Sequence, residues 1–325
     1  MRKISVIGAG AWGTTLSILL AENGHQVSLW VYEKELIPEI NKYRENKRYL
    51  PGFQLPDKIE ITGEMEPAEI FIFVIPTQHL RSIAKPFAAV IKSDVTVVSA
   101  SKGIEEKTLK LPLNILKEEL KNDNLCVLSG PNLSSEIARG LPAASVIASE
   151  KKAIAAAVQE ALMLNRFRIY TNTDVIGVQL GGALKNIIAI AAGTADGLNV
   201  GDNAKAGLMI RGIAEITRLG VALGARPETF AGLSGMGDLI ATCTSRLSRN
   251  HLVGEQIARG KKLSEILKEM KEVAEGVPTT IAARTLGNKL KVSLPITEEV
   301  YHVLYEGKDP YRAITDLMTR SATSE

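Results

Sequence analysis

Lys3-Ile4-Ser5-Val6-Ile7-Gly8-Ala9-Gly10-Ala11-Trp12-Gly13-Thr14 is the stretch from which the fold follows. Lys3–Ile7 is an apolar run of strand length, and a helical pattern begins near Ala11, continues to Asn23 and stops at Gly24. Between the two, Gly8-x-Gly10-x-x-Gly13 fits G-x-G-x-x-G, a spacing that reads as a dinucleotide fingerprint when it joins a strand to a helix. Gly8 permits the tight turn, Gly10 lets the backbone approach a pyrophosphate, and Gly13 lets the helix pack on the strand. The free N–H groups at the helix start favour the anion. Without that context the glycines are a turn of structural use only.

Outward from this unit the pattern repeats. Gln26–Val31, Glu69–Ile75, Val95–Ser99 and Leu125–Ser129 are short runs rich in Val and Ile, as expected of strands buried on both faces of a parallel sheet. Ala143–Ala148 and Phe167–Tyr170 predict two more strands around an Ala-rich helix, Lys151–Leu164. Past about Asp174 strand signals almost disappear, and Ile210–Leu223, Leu252–Arg259, Leu263–Met270 and Thr279–Lys289 carry apolar residues at helical spacing. The expectation is an α/β chain: a doubly wound sheet over residues 1–174, then an all-helical domain over 175–325. Ser321–Glu325 reads as a frayed tail.

The 325 residues are 45% hydrophobic, 23% charged and 5% aromatic, which excludes a disordered or fibrous chain and suits two domains. Thirty-nine Lys and Arg against 36 Asp and Glu leave +3, with the signs interleaved, so nucleic acid is not an expected partner. Cys126 and Cys243 have no metal-ligand spacing, nor do His25, His79, His251 and His302, and no metal site is expected. Met1-Arg2-Lys3 runs straight into a strand rather than a signal-peptide core. The best candidate for a membrane span, Val178–Ala192, carries Gln179, Lys185 and Asn186 and is expected to fall short of one. A soluble, reduced, cytoplasmic protein is expected.

Several residues then invite chemistry. Glu33 lies about 20 residues beyond the glycine loop, where a carboxylate receives the adenosine ribose of NAD. Lys34, next to it, suits the extra phosphate of NADP, so both cofactors stay open; either residue is otherwise a surface charge. Lys102 and Gly130-Pro131 follow strands, at the sheet edge where ligands bind. Lys185 is a charge in the middle of an apolar helix, and burial would lower its pKa towards the range useful for proton transfer. Gly181 and Gly182, four and three positions earlier, are expected to leave an open surface through which a small molecule reaches the amine. The plainer reading is a lysine that snorkels or pairs with an Asp. Asp238 and Thr242 share a helical face, although an Asp there is ordinarily an N-cap. Ser248-Arg249-Asn250 precedes a helix and offers a phosphate or carboxylate clamp, or simply a cap with a surface Arg. Glu275-Gly276 alone reads as a solvated turn.

Taken in order, Gly8-x-Gly10-x-Trp12-Gly13-Thr14, Ser101-Lys102-Gly103, Ser129-Gly130-Pro131, Gly177-Val178-Gln179-Leu180-Gly181-Gly182-Ala183-Leu184-Lys185-Asn186, Gly235-x-Gly237-Asp238-Leu239 and Ser248-Arg249-Asn250 form a series. The chain resembles the bacterial NAD(P)-dependent glycerol-3-phosphate dehydrogenases over essentially its whole length. That resemblance implies a Rossmann-type domain followed by a helical domain of the 6-phosphogluconate dehydrogenase C-terminal kind, with the active site between them. It implies NAD or NADP as cofactor, glycerol 3-phosphate and dihydroxyacetone phosphate as substrates, and a product that feeds phospholipid synthesis. It leaves a homodimer open.

By the same resemblance Lys185 is the proton acceptor or donor, and Lys102 touches cofactor and substrate. Asp238 holds the substrate and orients the lysine, while Gly130 and Asn132 line its loop. Ser248, Arg249 and Asn250 bind the glycerol phosphate, with Arg249 also near the cofactor. Ala11, Trp12, Tyr32, Ser134, Val273 and Glu275 fall on cofactor positions beside Gly8, Gly10, Gly13 and Glu33. Asn132 and Ser134 depart from the family loop, which commonly has Ser or Thr and then Ala; Tyr32-Glu33 lacks the Arg often seen in NADP-using members. Two other readings remain: a hydroxy-acid dehydrogenase of the same plan, acting on 6-phosphogluconate or 3-hydroxyisobutyrate, and a dinucleotide sensor without turnover. Lys185 and the Arg249 clamp argue against the sensor.

Overall fold

Strand β1 (Lys3–Ile7) lies between β2 (Gln26–Trp30) and β4 (Ile70–Phe73), parallel to both, because the chain runs outward to β3 (Ile59–Thr62) and then returns to the other side of β1. The computed structural model describes residues 1–321, and Ala322–Glu325 of the tail lies outside them. Beyond β4 follow β5 (Thr96–Ser99), β6 (Leu125–Ser129), β7 (Ala143–Ala148) and β8 (Phe167–Asn172), completing a sheet of order β3-β2-β1-β4-β5-β6-β7-β8. The reversal at β1 and β4 is a topological switch point, and the crevice beyond the carboxyl ends of the strands there is where such sheets bind ligands.

Helices cover both faces. On one, α1 (Ala11–Glu22) and α6 (Lys152–Leu162) bury Leu16, Leu20 and Val158 against Ile4, Val6 and Ile72. On the other, α3 (Thr77–Phe87) and α4 (Pro112–Leu120) bury Leu80, Phe87 and Leu116 against Ile7, Phe71 and Phe73. Each such side chain contributes roughly 1.5–3 kcal/mol on burial, which is why the central strands are continuous apolar runs.

Two features differ from the expected parallel crossovers. β6 and β7 pair antiparallel, since only the short α5 (Ser134–Ala138) separates them and the chain turns back instead of crossing over. The strand β3, preceded by α2 (Leu36–Tyr43), was not foreseen: Ile59-Glu60-Ile61-Thr62 alternates buried and exposed residues over only four positions, a weak signal typical of an edge.

After β8 the described elements are helical: α7 (Val175–Gly197), α8 (Asp202–Ala222), α9 (Asp238–Thr244), α10 (Arg249–Ala258), α11 (Leu263–Glu269), α12 (Gly276–Leu290), α13 (Pro295–Tyr305) and α14 (Pro310–Met318). Asp174 sets the start of α7 by accepting from Gly177 N at 2.9 Å, and its other oxygen accepts from Arg226 N and Thr229 Oγ1 at 2.9 and 2.7 Å. The expectation about a membrane span needs correction. α7 is 23 residues long, with an 18-residue window of mean hydropathy 1.6, so by length and composition it is apolar enough to cross a membrane. The Val178–Ala192 window was too narrow, and three polar side chains do not outweigh the rest. In the fold 83% of that window is buried, with Leu180, Leu184, Ile187 and Ile188 packed against Leu219, Phe230, Val253 and Ala283 of the surrounding elements.

Candidate active site

A cavity of about 480 Å³ runs along the carboxyl ends of the central strands and is walled on its far side by α7, α9, the start of α10 and the segment before α12. Its nucleotide end is made by Gly8, Gly10, Ala11 and Trp12. Gly8 has φ +113°, and a Cβ there would stand 2.6 Å from the Val74 carbonyl oxygen. A Cβ on Gly10 would meet nothing within 4 Å, so this residue faces open space, at an α1 N-terminus without a side-chain cap. Free N–H groups beside an open cradle suit a pyrophosphate. Gly13 lies off the cavity, where a Cβ would collide with the Gly8 carbonyl oxygen at 1.9 Å; its role is packing. Asn46, fully buried, ties the loop down by donating to Ala9 O at 2.7 Å and Thr14 Oγ1 at 2.9 Å.

Tyr32 and Glu33 line the cavity beyond β2, joined by Tyr49, whose hydroxyl donates to Glu33 Oε1 at 2.6 Å. Burial and that bond push the Tyr49 phenol up to about 12. Ser134, Val273 and Glu275 line the cavity as well. Glu275 accepts from Thr77 N at 2.7 Å through Oε1, while Oε2 is buried without a partner; burial pushes its carboxyl up to about 7. Trp12 Nε1 and Asn132 Nδ2 are likewise buried and unpartnered. All three residues line the cavity, their orphaned polar atoms are of the kind a polar ligand would satisfy, and with the open cradle at Gly10 they fit a dinucleotide.

At the opposite end one carboxylate holds two ammonium groups. Lys185 Nζ donates to Asp238 Oδ1 and Thr242 Oγ1, both at 2.5 Å. Lys102 Nζ donates to Asp238 Oδ2 at 2.7 Å and to the Gly130 carbonyl at 2.8 Å. The Thr242 hydroxyl donates in turn to the Asp238 carbonyl at 2.6 Å. Lys185 is 7% exposed and Asp238 1%. Burial lowers the Lys185 amine to about 8, opposed by Asp238 and assisted by Lys102. Two cations around one anion leave this wall positive, ready for a phosphorylated substrate or a developing alkoxide.

Lys102 and Lys185 line the cavity; Asp238 and Gly130 sit behind them. Asp238 is not a cap, since α9 begins without a side-chain cap bond. The open surface expected at Gly181 and Gly182 does not exist. A Cβ on Gly181 would stand 2.6 Å from the Ser234 carbonyl oxygen, and one on Gly182 2.6 Å from Ser129 Oγ and 3.5 Å from the Lys102 stem. Both glycines are filled by protein: they bring α7 close enough to the turn before α9 and to Lys102 for the lysines to share Asp238.

Ser248 caps α10 by accepting from His251 N at 3.2 Å, and both Ser248 and Arg249 line the cavity. Arg249 is half-exposed, with Nη1 2.8 Å from Glu272 Oε2. Asn250 donates to Asn186 Oδ1 and accepts from Gly276 N, each at 2.9 Å, so it clasps α7 to the start of α12. Asn132 accepts from Ser145 Oγ through Oδ1 and lines the cavity, while its Nδ2 is buried without a partner. Sequence reasoning missed Asn46 and Tyr49, which come from an irregular segment with no periodicity, and Glu272. Asn186 stood in a quoted motif, where its polarity in an apolar helix was a usable signal.

Comparison with known proteins gives the family of the chain. The model of the NAD-dependent glycerol-3-phosphate dehydrogenase N-terminus matches residues 3–155, and that of the C-terminus matches 174–315. The chain is 49% identical over 330 residues to a glycerol-3-phosphate dehydrogenase (NAD(P)+) of Citrifermentans bemidjiense, covering 99% of this chain and 98% of that protein. Identity to the one of Thermoanaerobacter sp. (strain X514) is 49% over 327 residues, again 99% and 98% of the two chains. Among solved structures, glycerol-3-phosphate dehydrogenase from Coxiella burnetii superposes with a TM-score of 0.94 at 34% identity, over 98% of this chain and 99% of that one.

Proposed function

The chain belongs to the NAD-dependent glycerol-3-phosphate dehydrogenase family, and from that premise we propose that its cavity interconverts sn-glycerol 3-phosphate and dihydroxyacetone phosphate with NAD(P). The observation that carries the assignment of the chemistry is the buried Asp238 carboxylate holding Lys102 and Lys185 at the end of the cavity away from the glycine loop.

When bound, the nicotinamide supplies a hydride to, or takes one from, carbon 2 of the substrate. Lys185 manages the proton. With its pKa near 8, the neutral amine accepts the hydroxyl proton during oxidation and the ammonium returns it to the carbonyl oxygen during reduction. Asp238 and Thr242 aim Nζ. Lys102, held by the Gly130 carbonyl, places a second positive charge beside the oxygen that becomes an alkoxide.

Arg249 and Ser248, at the N-terminus of α10, bind the phosphate with help from backbone N–H groups, and Asn250 keeps that helix start against α7. The free N–H group of Asn132 donates to a substrate oxygen. Gly8, Gly10, Ala11, Trp12, Tyr32, Glu33, Ser134, Val273 and Glu275 hold the cofactor over the Gly13 packing contact. Residues 1–174 thus serve as the dinucleotide unit and 175–325 as the substrate unit of a cytoplasmic enzyme supplying glycerol 3-phosphate for phospholipid synthesis. Light scattering on the purified protein decides whether it works as a homodimer.

Mixing the protein with dihydroxyacetone phosphate and NADH or NADPH, and following absorbance of the reduced nicotinamide, tests the reaction. Substrate-dependent loss of signal is expected with at least one cofactor. Folded protein that leaves both cofactors unchanged refutes it.

A further inference from the structure

We propose that His251 is a positioning residue for the phosphate clamp: its bond to Asp196 fixes where the start of α10, and with it Arg249, stands along α7 relative to Lys185. This role rests on the reaction proposed above and deepens it, because it names what keeps the two ends of the substrate in register.

α7 and α10 meet backbone to backbone. A Cβ on Gly193 would stand 1.9 Å from the His251 carbonyl oxygen, one on Gly254 1.9 Å from the Ile190 carbonyl oxygen, and one on Gly197 2.6 Å from the Cβ of Ala258. Side-chain ridges that seat in grooves set how two helices stand along each other, and a seam of glycine and alanine has few of them. It permits close approach without fixing axial register. Polar bonds at the start of α10 supply what the seam lacks. Asn250 donates to Oδ1 of Asn186, the neighbour of Lys185, at 2.9 Å. His251, only 6% exposed, donates from Nε2 to Asp196 Oδ2 at 2.7 Å, since a carboxylate oxygen can only accept.

Asp196 lies eleven residues beyond Lys185, about three turns and 16 Å along the same face of α7. Lys205 of α8 holds the same carboxylate, with Nζ 2.5 Å from Oδ2, so the anchor is itself tied to a third helix. The backbone N–H of His251 is the one that Ser248 caps, which joins the imidazole anchor to the clamp hydroxyl through a single residue. Arg249 pairs with Glu272 on the segment before α12 and is therefore placed along α7 by its neighbours Ser248, Asn250 and His251. His251 lies outside the cavity lining, so it acts through the clamp and not on the substrate. A phosphate held out of register by a fraction of an ångström misaligns carbon 2 with Lys185, and misplacements on the order of 1 Å are costly.

Steady-state reduction of dihydroxyacetone phosphate by full-length variants tests this role. His251→Phe keeps a ring in the site and removes the bond. Its KM for dihydroxyacetone phosphate should rise about three- to tenfold, with kcat changed less and the affinity for reduced nicotinamide nucleotide, from fluorescence titration, unchanged. His251→Gln, whose amide offers an N–H at similar reach, should recover most of the loss. Because the effect passes through the clamp, His251→Phe introduced into Arg249→Ala should add less than about twofold. If His251→Phe does not fold, Asp196→Asn at its half-buried position carries the same test, with a smaller rise in KM. An unchanged KM in the variant tested, equal losses in His251→Phe and His251→Gln, or a full effect persisting in Arg249→Ala overturns the positioning role and leaves the proposed reaction standing. A parallel loss of nucleotide affinity marks general structural damage and overturns it as well. Unaltered, folded protein that does not reduce dihydroxyacetone phosphate overturns this role together with the proposed reaction.

Discussion

Lys185 Nζ lies 2.5 Å from Oδ1 of an Asp238 that is almost completely buried, and the second oxygen of the same carboxylate is held by Lys102. Buried charges are tolerated when paired in this way. Sharing one anion between two cations leaves neither ammonium fully compensated, and that is the condition under which burial can lower the amine of Lys185.

Lys185→Ala should lower kcat by about a thousandfold or more, the scale of a lost general acid or base. Asp238 keeps Lys102 as a partner, so the variant should fold, and its affinity for reduced nicotinamide nucleotide should stay within about threefold. Initial rates and fluorescence titration check both parts; near-normal turnover would remove Lys185 from the chemistry.

The two directions of the reaction should respond oppositely to pH. Lys185 titrates near 8 instead of 10.5, so the neutral amine that oxidation requires accumulates as pH rises through about 8. The ammonium that reduction requires is lost over the same range. Profiles of kcat/KM from pH 6 to 10 should rise for glycerol 3-phosphate and fall for dihydroxyacetone phosphate. Profiles that slope the same way in both directions would contradict the assignment.

Arg249→Ala should raise KM for dihydroxyacetone phosphate about tenfold or more, the loss expected for a charge-assisted hydrogen bond to phosphate, with a smaller change in kcat. The Glu272 carboxylate, freed of its partner at 2.8 Å, would then face the substrate and add repulsion. Glu272→Ala offers the complement, with KM unchanged or lowered. Kinetics of Arg249→Ala indistinguishable from the unaltered protein would mean that the phosphate is held elsewhere.

Gly181→Ala places a methyl group 2.6 Å from the Ser234 carbonyl oxygen. Overpacking of this kind costs about 1–3 kcal/mol, and relief requires α7 to move from the turn that leads into Asp238. Urea denaturation should show the loss, with kcat falling alongside it because Lys185 and Asp238 ride on the two displaced elements. A variant with unaltered stability would show that the contact yields easily.

Much of the fold was legible because its signals are local. The strand, glycine turn and helix around Gly8 to Gly13 are contiguous, and apolar runs of about five residues mark the buried strands without knowledge of their neighbours. β3 escaped notice because four alternating residues at an edge carry little signal, and the turn-back between β6 and β7 depends on what the connection packs against. Lys185 stood out as a charge in an apolar helix, which already demanded a partner or a function. Nothing local distinguished Tyr49, since its meaning lies in a bond to Glu33.

Backbone periodicity, glycine geometry and the cost of burying an ammonium act over a few residues, so they can be read along the chain, and they marked the nucleotide loop and Lys185. The sharing of Asp238 by lysines from two other segments, the filling of the space at Gly181 and Gly182, and the engagement of Glu33 by Tyr49 arise from how separate elements pack. Hydrogen bonds and close contacts act over about 3 Å in space whatever the distance in sequence, and packing alone sets which groups come within that range.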